Sequence, residues 1–159
     1  MSKKVWVDRT VPMISFSSNN DGKTWKNTAT PVTVTIKDSG SGVGGYRYYW
    51  SASNSDAYNE GTALYRGSSR NIVAADTSGS WINNKVFTET HLTNSAHNDV
   101  IYLHVKACDR SFYNNNCSTA TYKTGIHFDN MKPNKPVVDK SSQEWVNKFQ
   151  LTIKTNENV

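Results

Sequence analysis

The stretch Val32–Ser51, VTVTIKDSGSGVGGYRYYWS, predicts two β-strands joined by a glycine-rich turn. Apolar and polar side chains alternate in its first half, which is the pattern of a strand with one buried and one wet face. In its second half Tyr49 and Arg47 fall on the opposite parity from the aromatic residues beside them, so both are predicted to face outward. The inward residues predicted by this alternation are Val32, Val34, Ile36, Tyr46, Tyr48 and Trp50.

The rest of the chain has the same β-rich character. Asn, Ser and Gly separate short runs rich in Val, Thr, Ile and Tyr, and no segment has the pattern of a long amphipathic helix. Such short runs with turn signals between them, and a Trp on the third strand, predict an all-β, antiparallel β-sandwich of about seven strands. The predicted strands outside the opening stretch are 11–16, 63–65, 71–75, 85–90, 100–107 and 118–128.

The two cysteines flank the polar segment DRSFYNNN between the last two predicted strands. With Ile101, Leu103 and Val105 facing inward, Cys108 and Cys117 both fall on the outward parity and can face each other across a hairpin. A disulfide there would stabilise the domain by roughly 2 to 3 kcal/mol and would indicate an oxidising, extracytoplasmic setting. Two unpaired thiols in a cytosolic protein are the alternative.

Three segments recur in order about 120 residues later in the chain. VWVDRTVP, which begins at Val5, matches IHFDNMKP, which begins at Ile126, and a Trp-x-Asn follows each copy. VTIKD then matches LTIKT, so that Thr155 stands where the first copy has Asp38. We therefore expect residues 1–8 to end a preceding repeat or linker, 9–129 to form a complete domain, and 130–159 to begin an incomplete repeat whose residues 137–159 are mobile or pair with another molecule.

The segment SNNDGKTW, residues 18–25, is close to an Asp-box, the hairpin signature found in sialidase-type propellers. Its Asp-Gly pair favours a tight turn, and Trp25 is expected to pin that turn to the sheet. The second copy of the repeat has SSQEW at this place, and the chain is too short for a propeller. The motif is therefore interpreted as a local turn rather than as part of a sugar-cleaving enzyme.

The segments DRTVP, VTVTIKDSGSGV, YRYYWS, IYLHVKACDRS and FDNMKP together resemble the bacterial immunoglobulin-like repeats of large surface and secreted proteins. The resemblance covers nearly the whole chain and implies that the predicted fold is an all-β, antiparallel immunoglobulin-like β-sandwich of about seven strands. It also implies a non-enzymatic structural or adhesive module, located outside the cell or on its surface. The partners it implies are adjacent repeats and a host matrix protein or glycan. The chain departs from the usual pattern at its cysteine-bracketed hairpin and in the long segment 52–79.

Aromatic side chains support a second hypothesis, a carbohydrate-binding accessory module of a secreted glycan-active enzyme. Exposed rings stack on sugar faces, and several aromatic residues fall on the outward parity or in loops. The candidate ligand-binding aromatics are Tyr49, Trp81 and Tyr113, and scattered surface aromatics that bind nothing are the alternative.

The sequence predicts no catalytic residue and no cofactor. The segment GSGVGG, residues 40–45, matches a dinucleotide-binding pattern, but a strand follows it instead of the required helix. The four histidines lack metal-ligand spacing, and the net charge of +5 is scattered, so nucleic acid is not expected as a partner. No window approaches the length of a membrane span.

Acidic residues in loops leave calcium as an open alternative to the prediction of no metal site. Calcium binds 6 to 8 oxygen ligands in flexible geometry, whereas Asp is also a common turn former. No D-x-D-x-D spacing gathers the ligands on one loop. The residues concerned are Asp8, Asp38, Asp109 and Asp129.

Overall fold

The computed structural model describes residues 7–64, 83–94, 96–110, 116–138 and 153–154. Within these residues the domain has seven strands: β1 (Met13–Ser17), β2 (Pro31–Lys37), β3 (Val43–Ser51), β4 (Asn84–Thr90), β5 (Asn98–Asp109), β6 (Cys117–Thr121) and β7 (Ile126–Asp129). A short 3-10 helix, Glu60–Thr62, follows β3. Two further strands, β8 (Val137–Val138) and β9 (Ile153–Lys154), pair with each other.

The seven strands form two antiparallel sheets that pack face to face. One sheet has the order β1-β2-β4, and the other places β3 on one edge of β5, with β6 and β7 in succession along its other edge. These orders correspond to strands A-B-E and C-F-G of an immunoglobulin domain, so the predicted antiparallel immunoglobulin-like β-sandwich is confirmed.

The core lies between the two sheets and is made by the alternation read from the sequence. Val32, Val34 and Ile36 of β2 are fully buried, and Trp50 of β3 is 1% exposed. The inward residues of the central strand β5 are buried with them, because every second side chain of β5 points to the opposite sheet. These residues are Ile101, Leu103, Val105 and Ala107.

The last predicted strand, 118–128, is divided into β6 and β7. On β5, His104 and Ile101 are three positions apart, but their partners Thr121 and Ile126 are five positions apart, so two extra residues bulge out of the ladder. A turn forms where the N–H of Gly125 donates to the carbonyl of Tyr122, and Gly125 has a φ of 66°. Glycine adopts this left-handed conformation without the steric cost that a Cβ imposes.

The predicted disulfide between Cys108 and Cys117 is confirmed. The two residues are direct partners in the β5–β6 ladder, with 4.1 Å between their Cα atoms. The next pair toward the loop is hydrogen-bonded, since the N–H of Asp109 donates to the carbonyl of Asn116. The cysteines therefore occupy a non-hydrogen-bonded pair, where side chains approach most closely.

The chain enters and leaves the sandwich at opposite ends. Residues 7–12 lead into β1 beside the β2–β3 turn and the β5–β6 hairpin, an end that we call the N-terminal pole. Asp129, the last residue of β7, pairs with Asn98 at the start of β5, and this opposite end is the C-terminal pole. The segment 18–30, which joins β1 to β2, lies at the C-terminal pole and contacts β7 through paired backbone groups of Lys26 and His127.

Several sequence predictions concern residues that lie wholly or partly outside the described part of the chain. These are the strands predicted at 63–65 and 71–75 and much of the incomplete repeat at 137–159. Of the first, only Ala63 and Leu64 are described, and neither is in a strand. The division of the chain into repeats stays a prediction.

Candidate functional site

Three aspartates converge at the N-terminal pole, although they come from distant parts of the sequence. Asp8 lies in the segment before β1, Asp38 directly follows β2, and Asp109 ends β5. Each directs a carboxylate oxygen into a group in which all three atoms lie within 4.8 Å of one another. Asp38 and Asp109 are buried, at 4% and 2% exposure, whereas Asp8 is half-buried.

Backbone N–H groups hold the carboxylates of Asp8 and Asp38. Asp38 Oδ1 accepts hydrogen bonds from the N–H groups of Gly40 and Gly42, at 2.9 and 3.0 Å, which folds the β2–β3 turn around it. Asp8 Oδ2 accepts from the N–H of Ser41 at 2.6 Å, which ties the N-terminal segment to that turn. A Cβ at position 40 would collide with the Asp8 carboxylate, so the close approach requires glycine.

Asn116, the residue before β6, connects Asp109 to Asp8. Its backbone N–H donates to Asp109 Oδ1 at 2.9 Å, and its side-chain Nδ2 donates to Asp109 Oδ2 at 2.6 Å. The same Nδ2 also lies 3.2 Å from the carbonyl oxygen of Asp8. The hairpin that carries the disulfide is thereby attached to the segment that leads into the domain.

Hydrogen bonds stabilise the charged form of Asp8. The hydroxyl and N–H of Thr10 both donate to Asp8 Oδ1, at 2.6 and 2.9 Å. Together with the N–H of Ser41 they hold the pKa of Asp8 well below its usual range, the Thr10 hydroxyl having the largest effect. Asp8 is therefore ionised at neutral pH and brings negative charge to the two buried carboxylates.

Asp129, the fourth acidic residue considered from the sequence, does not join this group. Its Oδ1 accepts from the N–H of Met131 at 2.9 Å, which is the turn that Asp8 makes with Thr10. Asp129 lies at the C-terminal pole, the far end of β5 from Asp109. The two matching sequence segments thus form the same local turn at opposite ends of the domain.

A groove of about 810 Å³ runs along the outer face of the β3–β5 pair. Charged and aromatic side chains line it, and Tyr58 donates a hydrogen bond to Glu60 Oε1 at 2.9 Å. The same Glu60 oxygen lies 3.7 Å from Arg47 Nη1. Burial, followed by the hydrogen bond to Glu60, raises the pKa of Tyr58 far above its usual value, so the phenol stays protonated.

The prediction that Tyr49 is an exposed aromatic is wrong. Tyr49 does face away from the core, as its parity predicted, but it is only 2% exposed, because the segment after β3 covers it. Its hydroxyl oxygen accepts from the N–H of Asn59 at 2.8 Å, and its ring stacks on His104 at 4.6 Å. The ring of Tyr58 packs edge-on against it. Tyr49 is therefore not available to stack on a sugar.

Trp81 and Tyr113, the other two candidate aromatics, lie outside the described residues. Trp25, predicted to pin its turn to the sheet, is 51% exposed. Its ring packs edge-on against His127 of β7, with 5.1 Å between the ring centroids. One part of the indole is therefore held, and the rest faces outward. Asp21 supports this arrangement by accepting hydrogen bonds from the N–H groups of Lys23 and Thr24. The turn segment SNNDGKTW was therefore the sequence feature that pointed to this partly exposed Trp.

Two buried histidines have structural partners. His104 lies between Ser51 Oγ, at 2.9 Å from Nε2, and Thr121 Oγ1, at 3.0 Å from Nδ1. His91 accepts a hydrogen bond from the N–H of Thr30 through Nε2 and packs against Phe128. Burial lowers the pKa of both imidazoles, so both are neutral at pH 7.

Within the described residues no helix is long and apolar enough to cross a bilayer. Comparison with known proteins finds no family model and no curated protein that matches this chain.

Proposed function

We propose that this chain is a non-enzymatic immunoglobulin-like module of a secreted or surface-anchored protein, in which it is repeated in tandem as a structural or adhesive unit. The observation that carries the proposal is the repeated turn in the two linkers. Asp8 and Asp129 each cap the N–H group two residues later, at 2.9 Å in both cases, and they do so at opposite poles. A chain built of such units runs from pole to pole.

Exposed apolar side chains at both poles support contacts between consecutive units. Val7, Val11 and Met13 are between 54% and 71% exposed at the N-terminal pole. At the C-terminal pole, large apolar side chains are about half exposed. These are Trp25, Leu92 and Met131. Head-to-tail contact would remove these surfaces from water, which favours association.

The strand pair after the domain is consistent with the start of another unit. β8 and β9 pair antiparallel, as β1 and β2 do at the start of the complete domain. The sequence of β9 lies in the segment LTIKT, which matches VTIKD of β2. This correspondence extends the tandem proposal beyond residue 130.

The disulfide supports a location outside the cytoplasm. Disulfides persist in oxidising compartments and are rare where glutathione and thioredoxin keep thiols reduced. The Cys108–Cys117 bond closes the β5–β6 hairpin, and the chain has no other cysteine. An extracellular or cell-surface module, with neighbouring repeats and a host matrix protein or glycan as partners, is the function that we propose.

Small-angle scattering of a chain with two consecutive copies of residues 9–129 tests the tandem arrangement. One unit is about 35 to 40 Å long, because β5 has 12 residues at about 3.3 Å each. We expect the maximum dimension of two units to be about twice that of one unit. A two-unit chain that packs side by side, with little increase in length, would contradict the proposal.

The outer groove supports the alternative of carbohydrate binding. It combines Tyr58, an aromatic ring, with the charged groups of Arg47, Glu60 and Lys106, and such mixed surfaces orient polar ligands. A screen against glycans and matrix proteins, with Tyr58→Ala and Trp25→Ala beside the natural chain, tests this function. Binding lost in folded Tyr58→Ala alone would assign it to the groove. Binding lost only in Trp25→Ala would assign it to the C-terminal pole, and a flat screen would favour the spacer role.

A further inference from the structure

One carboxylate of the acidic group at the N-terminal pole, that of Asp38, is only partly satisfied by hydrogen bonds from the described residues. Asp38 Oδ1 is used by the turn, but Asp38 Oδ2 is buried and has no hydrogen-bond partner. Buried polar atoms are nearly always satisfied by protein, water or an ion. The buried and unsatisfied Asp38 Oδ2 therefore points to a bound ligand.

The charge of the group indicates that this ligand is a cation. Three carboxylates lie within 4.8 Å of one another, and two of them belong to buried residues. Among the described residues, neither Asp8 nor Asp38 forms an ion pair with a lysine or arginine. Like charges at this distance repel strongly, and a buried charge without compensation is costly. A cation between the carboxylates would remove the repulsion and give Asp38 Oδ2 a partner.

The donor atoms select the kind of cation. All of them are oxygens, which suit hard cations rather than zinc or copper. Calcium accepts irregular oxygen sets at about 2.3 to 2.6 Å, so two oxygens on opposite sides of one ion are about 4.8 Å apart. Magnesium requires near-ideal octahedral geometry at about 2.1 Å, which is hard to reconcile with carboxylates already fixed by backbone N–H groups. We propose that Asp8, Asp38 and Asp109 bind one Ca²⁺ ion, with water completing its coordination.

The position of this site connects three parts of the molecule. Asp38 follows a strand of the β1-β2-β4 sheet, Asp109 ends a strand of the other sheet, and Asp8 lies in the segment before β1. A calcium ion would therefore hold the incoming segment to both sheets. Stiffening of a joint between units rests on the proposed tandem function, whereas calcium binding by the single chain does not.

The second copy of the repeat provides a contrast within the same sequence. Its segment LTIKT has Thr155 where VTIKD has Asp38. Asp129, the counterpart of Asp8, would then have no buried carboxylate from that turn as a partner. We expect one calcium ion per chain, at the N-terminal pole.

Calorimetric titration of the chelator-treated full chain with CaCl₂, together with thermal melts, tests the proposal. The expected result is saturable binding of one ion and a rise in Tm that EGTA reverses. Asp38→Asn keeps an oxygen for the N–H groups of Gly40 and Gly42 but removes a charge, so it should weaken binding at least tenfold. Asp99→Asn, the same change at an exposed position of β5, should bind as the natural chain does.

A second variant covers the case in which Asp38→Asn does not fold. Asp8→Asn changes a half-buried residue and should also weaken calcium binding at least tenfold. An unchanged Tm and no heat of binding at millimolar calcium would overturn the proposal, as would equal binding by Asp38→Asn and Asp99→Asn. Preference for magnesium over calcium would overturn the assignment of the ion. The scattering experiment on two units tests the tandem arrangement, whereas calorimetry on the single chain tests calcium binding. A failure of one proposal is therefore distinguishable from a failure of the other.

Discussion

The two poles of the domain hold their linkers in different ways. At the N-terminal pole, Asp8 is held by hydrogen bonds to Ser41 and Asn116, and β1, which follows, has no fully buried side chain. At the C-terminal pole, the linker continues directly from β7, whose Phe128 is completely buried. The first attachment is polar and the second is largely apolar. Cations should therefore act mainly on the first attachment, and loss of core packing mainly on the second.

The largest effect is expected from removal of the buried Phe128 side chain at the C-terminal pole. Phe128→Ala should destabilise the domain by about 3 to 5 kcal/mol, because Phe128 is fully buried and packs against His91 at 4.4 Å. Met13→Ala, at the start of β1, should change the free energy of unfolding by less than about 0.5 kcal/mol, since Met13 is 66% exposed. Urea denaturation measures both. Comparable losses in the two variants would contradict the distinction between the poles.

The disulfide gives the next largest effect, at the N-terminal pole. The double variant Cys108→Ser, Cys117→Ser should lose roughly 2 to 3 kcal/mol, because the bond closes a short loop and limits the unfolded chain. Reductant should lower the Tm of the natural chain and leave the double variant unchanged. If reduction leaves the natural chain as stable as before, the hairpin is held by its hydrogen bonds alone.

The matched linker residues Arg9 and Asn130 give a smaller and more direct comparison. Asn130 Oδ1 accepts from the N–H of His97 at 2.8 Å, and its Nδ2 donates to the carbonyl of Thr93 at 2.8 Å. Asn130→Ala should cost about 1 to 2 kcal/mol, since it removes both bonds. Arg9→Ala, at the equivalent exposed position, should cost less than about 0.5 kcal/mol. The midpoints of urea unfolding measure both effects. A larger loss of unfolding free energy for Arg9→Ala than for Asn130→Ala would contradict this prediction.

The smallest expected effect is a pH dependence that arises at the C-terminal pole. Burial lowers the pKa of His91, so near pH 6.5 the unfolded chain binds more protons than the folded domain. Stability should therefore fall as the pH drops from 8 through 6.5 toward 5. His91→Gln should reduce this slope, and because burial also lowers the pKa of His104, part of the slope should persist in that variant. Melting curves across this range measure the slope, and an unchanged slope in His91→Gln would contradict the assignment.

The architecture followed from local alternation because one face of each central strand is buried. Val32, Val34 and Ile36 were predicted inward and are fully buried, and the parity of Cys108 and Cys117 predicted their pairing. The division of β6 from β7 was missed, since a bulge of two residues leaves the composition of a strand unchanged. A side chain's parity also defines only its face of the sheet, which is why the burial of Tyr49 by residues near Asn59 was not predicted.

The sequence identified the residues of the candidate site but not their convergence. Asp8 was identified as an acidic linker residue, and Asp38 and Asp109 as acidic residues at the ends of strands, but no short motif joins them. Their convergence depends on which strand ends meet at one pole, and this is a property of the immunoglobulin-like topology. The exclusion of Asp129 depends on the same topology, because β7 runs to the other pole.

The disulfide has a consequence for the order in which the domain matures. Cys108 and Cys117 directly precede and follow Asp109 and Asn116, the pair that holds one arm of the acidic group. Before oxidation, this arm depends on a few hydrogen bonds at the open end of a hairpin. After oxidation, a covalent bond keeps Asp109 and Asn116 together even when those hydrogen bonds break. We therefore expect a newly made chain to acquire its full cation affinity only after its disulfide has formed. Oxidation and then cation binding would act one after the other on the same pole.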